Sequence, residues 1–199
     1  MQESFENRPL LDRETLRALQ ERKDLPSVIH LALQLCAFAA AIALVVYAAP
    51  SFPIALPASL LLGAIWTSLF APFHECIHQT AFRSRRLNAI GGWLSGVPFG
   101  MAPAVYRDFH FEHHRHTHDP ARDPEMVGAP SVAYWPTNPL GWLWSVGGLW
   151  LIWLKVGLMF RLAMRSVARP GPMPAWVEPE NVAPMIQGSR IIALAWSAL

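Results

Sequence analysis

The chain of 199 residues is apolar and nearly uncharged: 53% of its residues are hydrophobic, 15% are charged, and the formal net charge is +2. Soluble globular proteins carry about 25% charged residues, so the composition argues against a single soluble domain. The small net charge also argues against electrostatic binding of nucleic acid. Of the two cysteines, Cys36 lies in an apolar run and Cys76 lies between histidines. This placement argues against a disulfide framework and favours a reducing compartment.

The first part of the chain predicts a membrane hairpin. Residues 1–26 mix five basic with six acidic side chains, and the apolar run that follows is too long for a cleaved signal peptide. The uncharged runs 28–49 and 54–73 each approach the about 20 residues that a membrane helix needs, and prolines between them predict a tight turn. Basic residues precede the first run and follow the second, so residues 1–26 are expected to be cytoplasmic.

A third apolar stretch, residues 88–106, is interrupted by glycines and prolines. Such breakers favour a broken helix in the membrane interface over a further span. This interpretation keeps residues 74–118 on the cytoplasmic side. The predicted fold class is therefore an all-α integral membrane protein, with a transmembrane hairpin, an interfacial segment and histidine-bearing helices on the cytoplasmic side.

The remainder of the chain is predicted to hold one more span and two loops. Residues 140–160 form the span, although Lys155 is an unusual residue inside a membrane helix. Residues 119–139 and 165–188 are rich in proline and are predicted to be loops. A fourth apolar run begins at Ile191 and reaches the last residue, so we expect a membrane domain, residues 27–199, that is incomplete at its carboxyl end.

Histidine is concentrated in two short motifs. Seven of the eight histidines lie in HECIH and HFEHHRHTH, and helical spacing places several imidazoles of each motif on one face. Imidazole binds iron, zinc, copper and nickel. Five converging histidines exceed the three protein ligands of a catalytic zinc, which favours two metals or a metal of higher coordination number. The candidate metal ligands are His74, His78, His110, His113 and His114.

HECIH, a basic stretch with Asn88, and HFEHHRHTHDPARDPE together resemble the membrane fatty acid desaturase superfamily. The histidine boxes of that superfamily read HxxxH, HxxHH and a later (H/Q)xxHH. The resemblance implies a membrane enzyme with a non-haem di-iron centre, and it makes the five candidate histidines iron ligands from the first two boxes. Besides acyl desaturases, the superfamily includes lipid hydroxylases and carotenoid ketolases and hydroxylases.

The third box of the superfamily is missing, because no histidine follows His118. Together with the unfinished run at Ile191, this predicts an amino-terminal fragment of a desaturase-like protein. An incomplete ligand set binds metal weakly and lacks the preorganised geometry that directs an oxidant. We therefore expect the 199 residues alone to show little activity.

Several polar side chains near the boxes could orient the ligand rings by accepting their free N–H groups. The candidates for this supporting role are Glu75, Asp108, Glu112 and His116. Each of the three acids could equally be a solvated surface residue. Asp119 and Asp123 are each followed directly by a proline. They are expected to cap or turn the chain rather than bind metal.

The expected function is O2-dependent desaturation of a lipid acyl chain, with hydroxylation or ketolation as the nearest alternative. Oxidation of an unactivated C–H bond needs a redox-active metal, which zinc is not. The sequence has no motif of a nicotinamide or flavin fold, so electrons are expected from a separate donor protein. The enzyme is expected in a membrane of the bacterial inner membrane type, with its active site on the cytoplasmic side.

Two other classes of function stay open at this point. HECIH also satisfies the His-Glu-x-x-His pattern of zinc metalloproteases, in which Glu75 would be the general base. That alternative leaves the second histidine motif unexplained. The other class is an inactive membrane fragment that binds metal weakly, and metal analysis of the purified protein separates the three.

Overall fold

The computed structural model describes residues 12–127, 139–140 and 149–198. Within these ranges all regular secondary structure is helical, which confirms the predicted all-α fold class. The helices are α1 (Arg13–Leu19), α2 (Asp24–Ala48), α3 (Phe52–Ser68), α4 (Phe70–Ile77), α5 (Arg85–Phe99), α6 (Pro103–His116), α7 (Pro124–Val127), α8 (Leu149–Ala163) and α9 (Pro179–Ser197).

Helices α2 and α3 form the predicted hairpin. Two stretches, Arg13–Ala48 and Phe52–Ile77, are long and apolar enough to cross a membrane. Their large apolar side chains, such as Leu33 and Leu60, are mostly exposed, as expected for surfaces that face lipid. The chain is therefore a helical membrane protein, and the two helices begin a few residues earlier than the sequence pattern predicted.

The second membrane helix continues into the first histidine motif with one interruption. Helix α3 ends at a turn in which the Leu69 amide donates to the Trp66 carbonyl over 3.1 Å. Pro72, in the first turn of α4, has no N–H and cannot donate the bond that would join the two helices. The predicted continuation toward His74 is present as α4, with this break beside the proline.

Helix α5 ends in a left-handed turn that sends the chain back into α6. Gly100 has φ +70°, a conformation that glycine adopts without strain. The Met101 amide donates to the Gly96 carbonyl over 2.9 Å, and the Gly100 amide to the Val97 carbonyl over 3.1 Å, which is a Schellman motif. Pro103 follows in the first turn of α6, so the predicted break within residues 88–106 is observed.

The loop between the first histidine motif and α5 is organised by Asn88, whose side chain is only 2% exposed. Its Nδ2 donates to the carbonyls of Phe82, over 2.8 Å, and Ser84, over 3.0 Å. Its Oδ1 accepts from the Phe82 amide at 3.2 Å. The amino-terminal segment holds the same loop, because Arg22 donates to the Gln79 carbonyl. Hydrogen bonds from α5 and from the amino-terminal segment therefore both hold this loop in place.

The carboxyl-terminal helix differs from the sequence prediction. The prolines of residues 165–188 predict a loop, but α9 begins at Pro179, so that prediction is wrong for residues 179–188. Pro179 occupies the first turn, where no N–H is needed, and Met185 and Ile186 are buried. Tertiary packing therefore extends the helix well before the apolar run at Ile191.

The other two predictions for this region fall partly outside the described residues. Of the predicted span 140–160, residues 141–148 lie outside them, and the part from residue 149 onward belongs to α8. Of the predicted loop 119–139, residues 128–138 lie outside them. The described part of that loop contains the short helix α7.

Candidate metal centre

Four histidines from the two motifs lie together where α4 and α6 pack. Each offers a ring nitrogen, and these nitrogens all lie within 4.8 Å of one another. Members of each motif are four residues apart, which puts them on one face of their helix. We call this group the histidine cluster: His74, His78, His110 and His114.

His110 is at the centre of the histidine cluster and is 5% exposed. Its Nε2 lies 2.9 Å from Nε2 of His78 and 3.0 Å from Nε2 of His114. When two nitrogens bind one ion at bond lengths of about 2.1 Å and at a right angle to each other, they lie about 3.0 Å apart. The spacing and the all-imidazole donor set therefore fit a first-row transition metal.

The surroundings keep the central imidazoles uncharged. Burial lowers the pKa of His110 to about 4, and repulsion from the neighbouring imidazoles adds to the effect. Burial, followed by repulsion from His74 and His114, also lowers the pKa of His78. A neutral imidazole has a free lone pair, so these rings are ready to bind metal near neutral pH.

Aromatic side chains pack against the histidine cluster on the side of α5. The Tyr106 ring stacks on His110 with centroids 4.8 Å apart, and its Oη lies 3.2 Å from Nδ1 of His110. Phe73 is fully buried against Tyr106. The sequence interpretation missed Tyr106, although its position four residues before His110 in a helix was a usable signal.

His113, the fifth candidate ligand, is outside the histidine cluster. Its Nδ1 lies 2.9 and 3.0 Å from the two carboxylate oxygens of Asp123. Burial alone would raise the pKa of Asp123, but the hydrogen bonds from His113 and two backbone amides outweigh it and lower this pKa. Asp123 was expected only to cap or turn the chain, so its contact with a box histidine was missed.

Glu75 contacts the histidine cluster at its edge. Its Oε1 lies 3.5 Å from Nδ1 of His74, while its Oε2 accepts a 2.5 Å hydrogen bond from the Thr80 hydroxyl. Glu75 can therefore orient the His74 ring, as the sequence interpretation allowed.

The other three supporting candidates make different contacts. Glu112 forms an ion pair with Arg115 at 3.0 Å, and its Oε1 lies 3.4 Å from Nε2 of His116. Asp108 accepts from Nδ2 of Asn181, on α9, at 3.1 Å, and burial raises the pKa of this carboxyl. These contacts tie α6 to itself and to α9 rather than orienting a ring of the histidine cluster.

Comparison with known proteins identifies a family. Residues 50–199 match the family model described as fatty acid desaturase. A stretch of 74 residues, 36% of the chain, is 38% identical to zeaxanthin 4-ketolase of Chlamydomonas reinhardtii. This match spans 17% of the length of the ketolase. No solved structure matches the chain significantly.

Proposed function

The chain belongs to the fatty acid desaturase family, and from this premise we propose that it acts as a membrane-bound, O2-dependent non-haem iron oxidoreductase on a lipid. The observation that carries the proposal is the histidine cluster, in which four imidazoles from two helices bring their nitrogens within 4.8 Å of one another. A zinc protease using HECIH would draw only two of these histidines from its motif. The cluster instead joins both motifs in one site.

We propose two irons as the cofactor, with the four cluster histidines and His113 as the ligands that this chain provides. When bound, iron would activate O2, the oxidant that removal of hydrogen from an unactivated C–H bond requires. The neutral imidazoles leave the positive charge on the metal, while Tyr106 and Glu75 hold individual rings in place. The aromatic wall formed with Phe73 keeps water from that side of the site.

The first candidate reaction is desaturation of an acyl chain. Two hydrogens leave adjacent carbons and a double bond forms between them. O2 takes up these two hydrogens together with two electrons and two protons, and it is reduced to two molecules of water. The electrons come from a separate donor protein, because the proposed cofactor set of this chain includes no nicotinamide or flavin.

The second candidate reaction is ketolation of a carotenoid ring. It is favoured by the similarity to a zeaxanthin ketolase. Two successive oxygenations of one methylene give a geminal diol, which loses water to leave a ketone. Each oxygenation consumes one O2, two electrons and two protons, so the same metal site and electron donor serve both candidates.

Lipid product analysis distinguishes the two reactions. Cells that express the gene together with an electron donor should convert either an acyl lipid to a more unsaturated product or a carotenoid to a ketone. His114→Ala should remove the product, because it deletes one nitrogen from the histidine cluster. His30→Ala, on the exposed start of α2, is the control and should leave product formation unchanged. No product from either substrate class, with normal expression, would contradict the proposal.

We also propose that the site faces the cytoplasm, with residues 1–26 on the same side and residues 27–199 forming one membrane domain. Reporter fusions made after Glu75 and after Asp119 should then both report a cytoplasmic location, because α5 and α6 do not cross the bilayer between them. A fusion in the turn after Ala48 should report the opposite side. Opposite locations for Glu75 and Asp119 would contradict this topology.

A further inference from the structure

We infer that Asp123 is a positioning residue of the metal centre, which holds the proton of His113 on Nδ1 and leaves Nε2 as the metal-binding nitrogen of that ring. The inference rests on the proposed function only for the presence of metal. The proton position itself is a property of the metal-free protein.

The first observation is the contact between the two side chains. Nδ1 of His113 lies 2.9 and 3.0 Å from the two oxygens of Asp123. Asp123 is 1% exposed, so water does not compete for these oxygens. An ionised carboxylate only accepts hydrogen bonds, and Nδ1 must therefore carry the proton. Nε2 is then the ring nitrogen that is left for a metal.

The second observation is that the carboxylate is fixed independently of His113. Its Oδ2 accepts from the His118 amide at 2.9 Å, and its Oδ1 accepts from the Glu125 amide at 2.9 Å. Backbone amides can only donate, so they hold the carboxylate in its acceptor role. The orientation of Asp123 is thus set by the turn that leads into α7, and His113 adapts to it.

The third observation is the position of His113 beside the histidine cluster. Its ring centroid lies 6.1 Å from that of His110 and 5.8 Å from that of His114. Metal-binding histidines usually donate their other N–H to a carboxylate or carbonyl, which fixes the ring and raises its basicity. Asp123 gives this support to His113, whose ring lies beside the histidine cluster.

The test is Asp123→Asn, which keeps the size of the side chain. Each Asp123 oxygen also accepts from a backbone amide, so the Asn side chain keeps only one of these two acceptors. The neutral amide accepts from Nδ1–H less strongly than the carboxylate does, and its NH2 group can donate to an unprotonated Nδ1. The Nε2–H form of His113, which cannot bind metal through Nε2, therefore gains population. We expect Fe(II) binding to weaken by about 10–100-fold, the usual cost of losing such a partner. Asp119→Asn, in the same loop where Asp119 accepts from the Ala121 amide, should bind Fe(II) as the wild type does.

Two further measurements separate positioning from a merely structural role. In metal-free protein, 15N chemical shifts should show the His113 proton on Nδ1 in the wild type and a larger share of the Nε2–H form in Asp123→Asn. Wild-type protein with the proton on Nε2 would overturn the inference, and this measurement needs no variant. In a His113→Ala background, Asp123→Asn should weaken Fe(II) binding no further. An equal loss with and without His113 would also overturn the inference.

These outcomes distinguish the inference from the proposed function. A wild-type chain that binds no Fe(II) would count against the proposed function, while the tautomer of His113 would still be decided in the metal-free protein. Helix content from circular dichroism shows whether each variant is folded.

Discussion

His110→Ala should weaken Fe(II) binding by more than about 100-fold, because loss of a ligand costs more than the 10–100-fold loss of a residue that merely supports one. His110 is the buried member of the histidine cluster, and its Nε2 lies within 3.0 Å of Nε2 of both His78 and His114. The substitution removes the ring nitrogen that lies next to the nitrogens of both His78 and His114. Metal content of the purified protein and Fe(II) titration measure the loss.

The matched control for this change is His118→Ala, because His118 is an exposed histidine in the loop after α6. This variant should bind Fe(II) as the wild type does. A His110→Ala protein that retains full metal content would show that the histidine cluster is not the metal site. Loss of metal in both variants would point instead to a general effect on the region after α6.

Four of the five candidate ligands could be brought together from the sequence because each motif repeats at helical spacing. An i, i+4 pair presents its side chains on one helix face wherever the helix lies. The prediction also needed both motifs on one side of the membrane, and this followed from the glycines and prolines in residues 88–106. The Schellman turn at Gly100 is the break that the structure shows in this stretch.

The contacts of Asp123 and Asn88 could not be predicted in the same way. Asp123 and Asn88 act through a turn or loop, and nothing in a local sequence pattern shows which histidine or carbonyl such a side chain will meet. The amino-terminal half of α9 was missed for a related reason: prolines predict a loop locally, whereas burial of Met185 and Ile186 makes the helix favourable. Tertiary contacts decided each of these cases.

Gly96 is a position where the fold leaves no room for a side chain beside the site. A Cβ added there would lie 2.6 Å from the Met101 carbonyl oxygen and 2.8 Å from the Phe73 ring. The Met101 carbonyl cannot move freely, because the Met101 amide is bonded to the Gly96 carbonyl. Phe73 is completely buried and directly precedes His74. Any relief of the clash therefore disturbs either the turn between α5 and α6 or the first histidine motif.

Gly96→Ala should lower the free energy of unfolding by about 1–3 kcal/mol, the usual cost of overpacking a core, with the gain of up to about 1 kcal/mol in helix propensity offsetting only part of the clash. Gly63→Ala is the matched control, since no atom lies within 4 Å of a Cβ added there and its stability should be unchanged or slightly higher. Unfolding by denaturant in detergent micelles measures both variants. Because the clash reaches Phe73, the Gly96 variant should also bind Fe(II) more weakly. Equal stability of the two variants would show that α4 and α5 are not packed as closely as the structure places them.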